Sequence, residues 1–303
     1  MGKYSTWKDA KNRLIPEAWP EYTPSFKIDK SDKIFTIGSC FARNIEEHLL
    51  RLGYDVPMMS FSVPKSEWLY RPNGILNKYS PPSILNELRW CERIRAKGGK
   101  VYFKDIKKLM FQCENGDLID LHIGGYVPVK QNRALSRRQE IYDVFLNVFS
   151  SQVVIVTLGL VEVWYDTKNG LFIQRLPSNE MDREKGRFKF IRLNYKDCYD
   201  NVARSISLIR KHNPECKFII TTSPVPFKKT FTADDVIVAN TYSKSVLRAV
   251  CGEIVTEIRG VDYFPSYENV TLTKDWSIYE QDMQHVSDEF VKKIVEKLVE
   301  RYL

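Results

Sequence analysis

Residues 153–159 read VVIVTLG. A β-branched run without polar alternation cannot leave one face in water, so it predicts a strand covered on both sides, as in a parallel sheet. Its closing glycine, Gly159, permits close approach of another backbone. A second run of the same kind, CKFIITTSPVP, occupies 216–226. Between the two, YKDCYDNVARSISLIRKHNP has apolar residues at helical spacing and stops at Pro214.

Outward from this strand–helix–strand unit the rhythm repeats. Lys33–Ile37 reads as a short strand, and Phe41–Leu52 as a helix with Phe41, Ile45, Leu49 and Leu52 on one face before Gly53. Toward the other end come a helix near Asn240–Val250, a strand near Asp262–Phe264 and a closing helix Val286–Tyr302. That last helix carries Phe290, Val291, Ile294, Val295, Leu298 and Val299 on one stripe. Strands alternating with helices predict an α/β fold, a three-layer sandwich around a mainly parallel central sheet. Its site is then expected at the carboxyl ends of the strands.

The chain is expected to form one domain over 1–303, with 55–150 as an insertion region. Within that region we expect an ordered loop over 55–82 and helices at about Pro82–Ala96 and Ser136–Phe149. A small β-hairpin insertion is expected in 100–130, where Asn115-Gly116 and Gly124-Gly125 signal turns.

At 303 residues with 43% apolar content the chain is globular, and no stretch approaches the apolar length, about 18 residues, needed to span a bilayer. MGKYSTWKDAKNRLI has no apolar run and is not a secretory signal, although Gly2 and Thr6 fit the loose myristoylation pattern. The cysteines at 40, 91, 113, 198, 216 and 251 are scattered, with no CxxC pair. Neither a zinc site nor a disulfide frame is expected, and a cytoplasmic location follows. The net charge of +8 is spread over the chain, with small clusters at Lys104–Lys108, Arg133–Arg138 and Lys228–Lys229. Without a nucleic-acid motif, the basic surface suits an anionic small-molecule or glycan substrate better than DNA or RNA.

TIGSCFARN, residues 36–44, puts two nucleophilic side chains, Ser39 and Cys40, where a strand ends and a helix begins. Unpaired N–H groups and the helix dipole steady negative charge there. Ser39 is also a good N-cap, and Cys40 is a small residue suited to burial. Further along, TLGLVEVW (157–164) offers Gly159 and Glu162 at a second strand end, while TTSPVPF (221–227) shapes a wall. EQDMQHVSDEF (280–290) sets Asp282 three residues before His285, one of four histidines. Histidine is the usual base for a Ser or Cys nucleophile and needs a third group to fix its tautomer.

These blocks resemble a known family. GSCFA at 38–42 is the signature of the GSCFA family, a bacterial group regarded as related to SGNH/GDSL hydrolases. NGILNKYSPPSI (73–84), TLGLVEVW, TTSPVPF, YSKSVLRA (242–249), DYFPSYE (262–268) and DMQH (282–285) resemble its other blocks in order. The resemblance implies an SGNH-like fold with Cys40 at the nucleophile position, Ser39 as the competing candidate, His285 as base and Asp282 as its orienting acid. It further implies oxyanion or substrate contacts from Gly74 or Gly159 and from Asn73, Asn77 or Asn240. Glu162 stands where the superfamily has an asparagine–aspartate pair; ionised, it cannot donate to an oxyanion.

The function expected is acyl transfer, as an esterase or O-acyltransferase acting on a carbohydrate or related ester. No cofactor is required, and acetyl-CoA suits as acyl donor. The alternative is a non-catalytic carbohydrate-binding module, with Trp68, Tyr70, Tyr79, Trp164, Trp276 and Tyr279 as stacking residues. His122, in LIDLHIGG, is read as structural.

Overall fold

The computed structural model describes residues 5–125, 127–174, 176–178, 181 and 183–302; Gly2 lies outside the described residues. In chain order the elements begin with a short helix α1 (Trp7–Ala10), strand β1 (Ile34–Gly38) and helices α2 (Cys40–Arg51), α3 (Pro81–Arg95) and α4 (Phe103–Ile106). The hairpin β2 (Met110–Gln112) and β3 (Leu118–Asp120), helix α5 (Gln131–Phe145) and strand β4 (Val153–Leu158) follow. Next are strands β5 (Glu162–Asp166), β6 (Leu171–Ile173) and β7 (Phe188–Arg192), then helix α6 (Tyr195–His212) and strand β8 (Lys217–Thr222). Helix α7 (Val236–Glu257), strand β9 (Val261–Tyr263), helix α8 (Ser266–Thr271) and helix α9 (Asp288–Tyr302) complete the series.

The central sheet has the order β1-β4-β8-β9 and is parallel throughout. Side chains along its strands alternate between two cores. Phe35, Ile37, Val154, Val156, Leu158, Phe218 and Ile220 meet α3, α6 and α7 through Ile84, Leu88, Val202, Ile206 and Leu247. Ile34, Val153, Ile155 and Ile219 meet α2 and α9 through Phe41, Ile45, Leu49, Phe290, Val291, Ile294 and Leu298. This is the three-layer α/β sandwich expected from the continuous apolar runs. Each fully buried side chain of the α9 stripe contributes about 1.5–3 kcal/mol, and docking that helix fixes the loop before it.

One row across the sheet aligns Gly38 with Thr157 and Thr157 with Thr221. The loops after β1, β4 and β8 therefore open at the same edge. That register determines where chemistry can gather.

Three features depart from the sequence-based expectation. Strands β6-β5-β7 form an antiparallel sheet; these strands are short and half-buried, so their pattern is faint. Helix α7 begins at Val236 rather than near Asn240, because Asp235 caps it while Ile237 and Val238 face solvent and break the apolar period. Helix α5 likewise starts at Gln131, ahead of Ser136.

The hairpin β2–β3 pairs antiparallel as expected. A buried charge network ties it to the helices around it. Arg138 donates to both oxygens of Asp120 at 2.5 and 2.5 Å and to Glu87 at 2.8 Å, while Lys78 donates to Glu87 at 2.6 Å. His122 lies in this network, its N–H donating to Asp120 at 2.9 Å. Burial first, then the Arg138 charge, push its ring down to about 4, so it is neutral there.

Candidate active site

Gly38 ends β1 with φ of 145°, and a Cβ on it would lie 2.2 Å from the Thr157 carbonyl oxygen. Only glycine permits that approach. The chain then turns into α2, with Ser39 as N-cap accepting from the Phe41 N–H at 3.3 Å. The Ser39 N–H donates to Thr157 Oγ1 at 2.9 Å, and the two hydroxyls lie 3.2 Å apart. With 2% of its surface exposed, Ser39 is held beneath the turn. Cys40, the first residue of α2, is half-buried and lines a pocket of about 270 Å³. Its N–H has no acceptor among the described residues, as expected for the first turn of a helix.

The second strand end supplies Gly159. A Cβ there would meet the Tyr79 carbonyl oxygen at 2.8 Å and Ser39 Cβ at 3.3 Å, so glycine lets the β4 loop pack against the Ser39–Cys40 turn. The third supplies Ser223, Val225, Pro226 and Phe227, with Lys228 and Lys229 beyond them. Ser223 is 1% exposed, and its hydroxyl has no partner among the described residues although the residue lines the pocket.

The fourth wall is the turn before α9. Asp282 Oδ1 accepts the N–H groups of Gln284 and His285 at 2.9 and 2.9 Å, and Oδ2 meets His285 Nδ1 at 2.6 Å. Met283 holds φ of 53°, which bends the chain tightly enough for the acid to reach the ring three residues on. Gln284 Nε2 donates to the Pro226 carbonyl at 2.9 Å and latches this turn onto the β8 loop. With Nδ1 engaged by Asp282, Nε2 of His285 is left free of that carboxylate, and Cys40 lines the same pocket as the ring. The neighbouring Cys40 side chain is the largest influence on His285; burial opposes it, the Asp282 hydrogen bond adds to it, and the ring is raised to about 9. The His285 N–H first, then the ring and the Gln284 N–H, hold Asp282 well below the usual carboxylate range.

Cys40 and His285 thus line one pocket together with Ser39, and Asp282 backs the His285 ring. The other sequence-derived candidates sit elsewhere or are otherwise engaged. The Gly159 N–H donates to the Tyr79 carbonyl at 2.9 Å, so it is not free to meet an oxyanion in this arrangement. Gly74 packs against Trp68 and is not among the residues lining the pocket. Asn73 donates to Glu46 at 2.6 Å, in a buried layer with Arg43, and Asn77 donates to the Tyr79 hydroxyl at 3.0 Å. Glu162 accepts from Thr230 Oγ1 at 2.7 Å and the Phe231 N–H at 2.9 Å, and Asn240 accepts from the Phe227 N–H at 3.4 Å. Both therefore hold the 227–231 loop. Of the six aromatic candidates, Tyr79 lines the pocket. Trp164 instead clusters with Phe190 and Phe231, Trp68 with Tyr70, and Trp276 with Tyr279.

Sequence reasoning missed Lys244. It is 1% exposed on α7 and donates to the carbonyls of Gly159 and Val225 at 2.7 and 2.7 Å. Its signal was present: Lys244, Leu247 and Cys251 follow the i, i+3, i+7 spacing of a buried face. Among the described residues no group of three or more His, Cys, Asp or Glu side chains could hold a metal ion. No described helix is long and apolar enough to cross a membrane.

Several solved structures are similar to this chain. A GDSL-like lipase from Bacteroides thetaiotaomicron is 11% identical with a TM-score of 0.42, covering 98% of this chain and 98% of its own. A carbohydrate esterase family 2 enzyme with a carbohydrate-binding domain from Corynascus thermopiles (Myceliophthora fergusii) is 12% identical with a TM-score of 0.34, covering 94% and 68%. A family two carbohydrate esterase from Clostridium thermocellum in complex with cellohexaose is 14% identical with a TM-score of 0.34, covering 92% and 65%. No curated protein matches. The GSCFA family model matches residues 33–298, which takes in every strand of the central sheet and both ends of the Cys40–His285 pair, and the chain belongs to the GSCFA family.

Proposed function

We propose that the chain is an acyl-transfer enzyme, an esterase or O-acyltransferase for a carbohydrate or related ester, with Cys40 as nucleophile, His285 as proton carrier and Asp282 as its orienting acid. The observation that carries this reading is that Cys40 and His285 line one pocket while Asp282 holds His285 Nδ1 at 2.6 Å. A neutral cysteine–histidine pair and its thiolate–imidazolium form hold the same protons and differ only in whether one sits on sulfur or on the ring. The raised His285 favours a protonated ring, ready to give its proton to a leaving group.

In the first half-reaction, Sγ of Cys40 attacks the acyl carbonyl carbon and the π electron pair moves onto oxygen. Collapse breaks the bond to the leaving oxygen or sulfur, which takes the proton from Nε2 of His285. In the second, a water or sugar hydroxyl attacks the thioester carbon and gives its proton back to Nε2. The C–S bond breaks, restoring the starting pair. The Cys40 N–H and the Ser223 hydroxyl, both without partners among the described residues, are suited to donate to the oxyanion. Ser39, committed to Thr157 and to capping α2, serves the turn rather than the attack. Val225, Pro226 and Phe227 offer an apolar wall to the acyl group, and Lys228 and Lys229 suit an anionic donor such as acetyl-CoA or an anionic acceptor.

One observation favours a second reading, a carbohydrate-binding module without catalysis: the Gly159 N–H is engaged by Tyr79. The test is intact mass after brief exposure to acetyl-CoA or an activated acetate ester and acid quench. Acyl transfer predicts one acetyl adduct, absent in Cys40→Ala, retained in Ser39→Ala and slower to form in His285→Ala. No adduct with either donor, together with saturable glycan binding, moves the assignment to the binding module.

A further inference from the structure

Lys244 is a buried cation that the acyl-transfer scheme does not use. Fully buried lysines are rare unless they are paired with an anion, yet Lys244 makes no ion pair among the described residues. Its two acceptors are neutral backbone carbonyls, Gly159 after β4 and Val225 after β8. Both of those residues line the Cys40 pocket, and Gly159 packs against the Ser39–Cys40 turn. One ammonium therefore cross-links the two strand ends that flank α2's first residue. From the proposed function we infer that Lys244 is a positioning residue which holds the β4 and β8 loops together and places a positive charge to stabilise the anionic sulfur of Cys40.

Two further facts bear on this. Burial lowers the Lys244 ammonium to about 7, and its interaction with a charge on Cys40 opposes that shift. Cys40 is also faced from its other sides. His285 comes from the turn before α9, Arg43 lies one helical turn along α2, and Lys228 and Lys229 stand across the pocket. Arg43 is engaged by Glu46 at 2.8 Å, and Lys228 and Lys229 are exposed to solvent, where their charge is screened. Lys244 acts from the buried side, where screening is weakest.

The experiment uses the full chain and needs no knowledge of the substrate. Cys40 is half-buried while the other five cysteines are buried, so iodoacetamide at neutral pH reports on Cys40 by intact mass. Lys244→Met, checked for native circular dichroism, is expected to slow alkylation about 10-fold, equivalent to about 1.4 kcal/mol. His285→Gln is expected to slow it independently. Wild-type Cys40 reacting no faster than His285→Gln would sink the acyl-transfer reading itself. A large His285→Gln effect beside an unchanged rate in Lys244→Met would overturn this inference alone.

Should Lys244→Met fail to fold, the reciprocal measurement keeps Lys244 in place. Coupling between two sites is mutual, so Cys40→Ala must lower the titration midpoint of Lys244 followed by 13C-lysine NMR. A downward shift of about one pH unit is expected; an unmoved midpoint overturns the inference. A purely structural clamp on Gly159 and Val225 would leave that midpoint where it is.

Discussion

Ser39 and Cys40 are adjacent in sequence and line the same pocket, but Ser39 is buried with its hydroxyl engaged by Thr157 and the Phe41 N–H, whereas Cys40 is half-buried. Ser39→Ala removes an N-cap acceptor and is expected to cost about 1 kcal/mol in urea denaturation, with the acetyl adduct on Cys40 retained. His285 and Lys244 give the stability profile two opposing slopes. The histidine is raised to about 9, so its contribution is full below about 6.5 and is lost as pH rises through 9. The lysine is lowered to about 7, so its contribution is full above its unfolded value of 10.5 and is lost as pH falls through 7. Denaturation between pH 7 and 9 is therefore expected to show stability rising with pH in His285→Gln and falling in Lys244→Met. The histidine's share is about 1 kcal/mol or less, because 51% of its side chain is exposed. At this scale the D-x-x-H spacing was legible from the chain, whereas the partner of each hydroxyl and amide was not. Nothing local to Gly159 reveals that the Tyr79 carbonyl takes its N–H, since that bond spans two distant loops.

Between residue and fold, the loops after β4 and β8 decide the shape of the pocket. Glu162 ties the 227–231 loop to β5 through Thr230 and Phe231. Glu162→Ala should free that loop, and trypsin is expected to cut after Lys228 or Lys229 several-fold faster than in the wild type. Equal cleavage rates would show the loop to be held by other contacts. Gly159→Ala introduces a Cβ 2.8 Å from a backbone oxygen that cannot swing aside. A loss of about 1–3 kcal/mol is expected by thermal unfolding, along with slower acetylation of Cys40. The central strands β4 and β8 could be read from apolar run length, because burial on both faces erases alternation, and their helices from the spacing of apolar residues. Strands β5 to β7 could not. Their residues are half-buried, and their pairing partners lie across turns whose composition carries only ordinary turn signals.

For the molecule as a whole, the stretch from α3 to α5 is held together by the Lys78–Glu87–Arg138–Asp120 network, which links α3, the β2–β3 hairpin and α5, and not by apolar contact alone. Breaking it from one side is the severe perturbation. Arg138→Met leaves Asp120 and part of Glu87 buried without their cation, and a loss of about 3–5 kcal/mol is expected in chemical denaturation. The sandwich architecture was legible because it follows from the order of apolar runs. This network was not, because its charged members, spread from 78 to 138, look like solvated surface residues in the linear sequence. The separation of Cys40 from His285 carries one more consequence. The thiol belongs to the first strand–helix step of the central sheet and its histidine to the turn before the last described helix. During synthesis the sulfur leaves the ribosome long before the ring, so on the proposed function a nascent or prematurely terminated chain carries the nucleophile without its proton carrier. On the same reading, a cut between α8 and His285 severs the covalent link between thiol and ring while leaving every strand of the central sheet on one fragment.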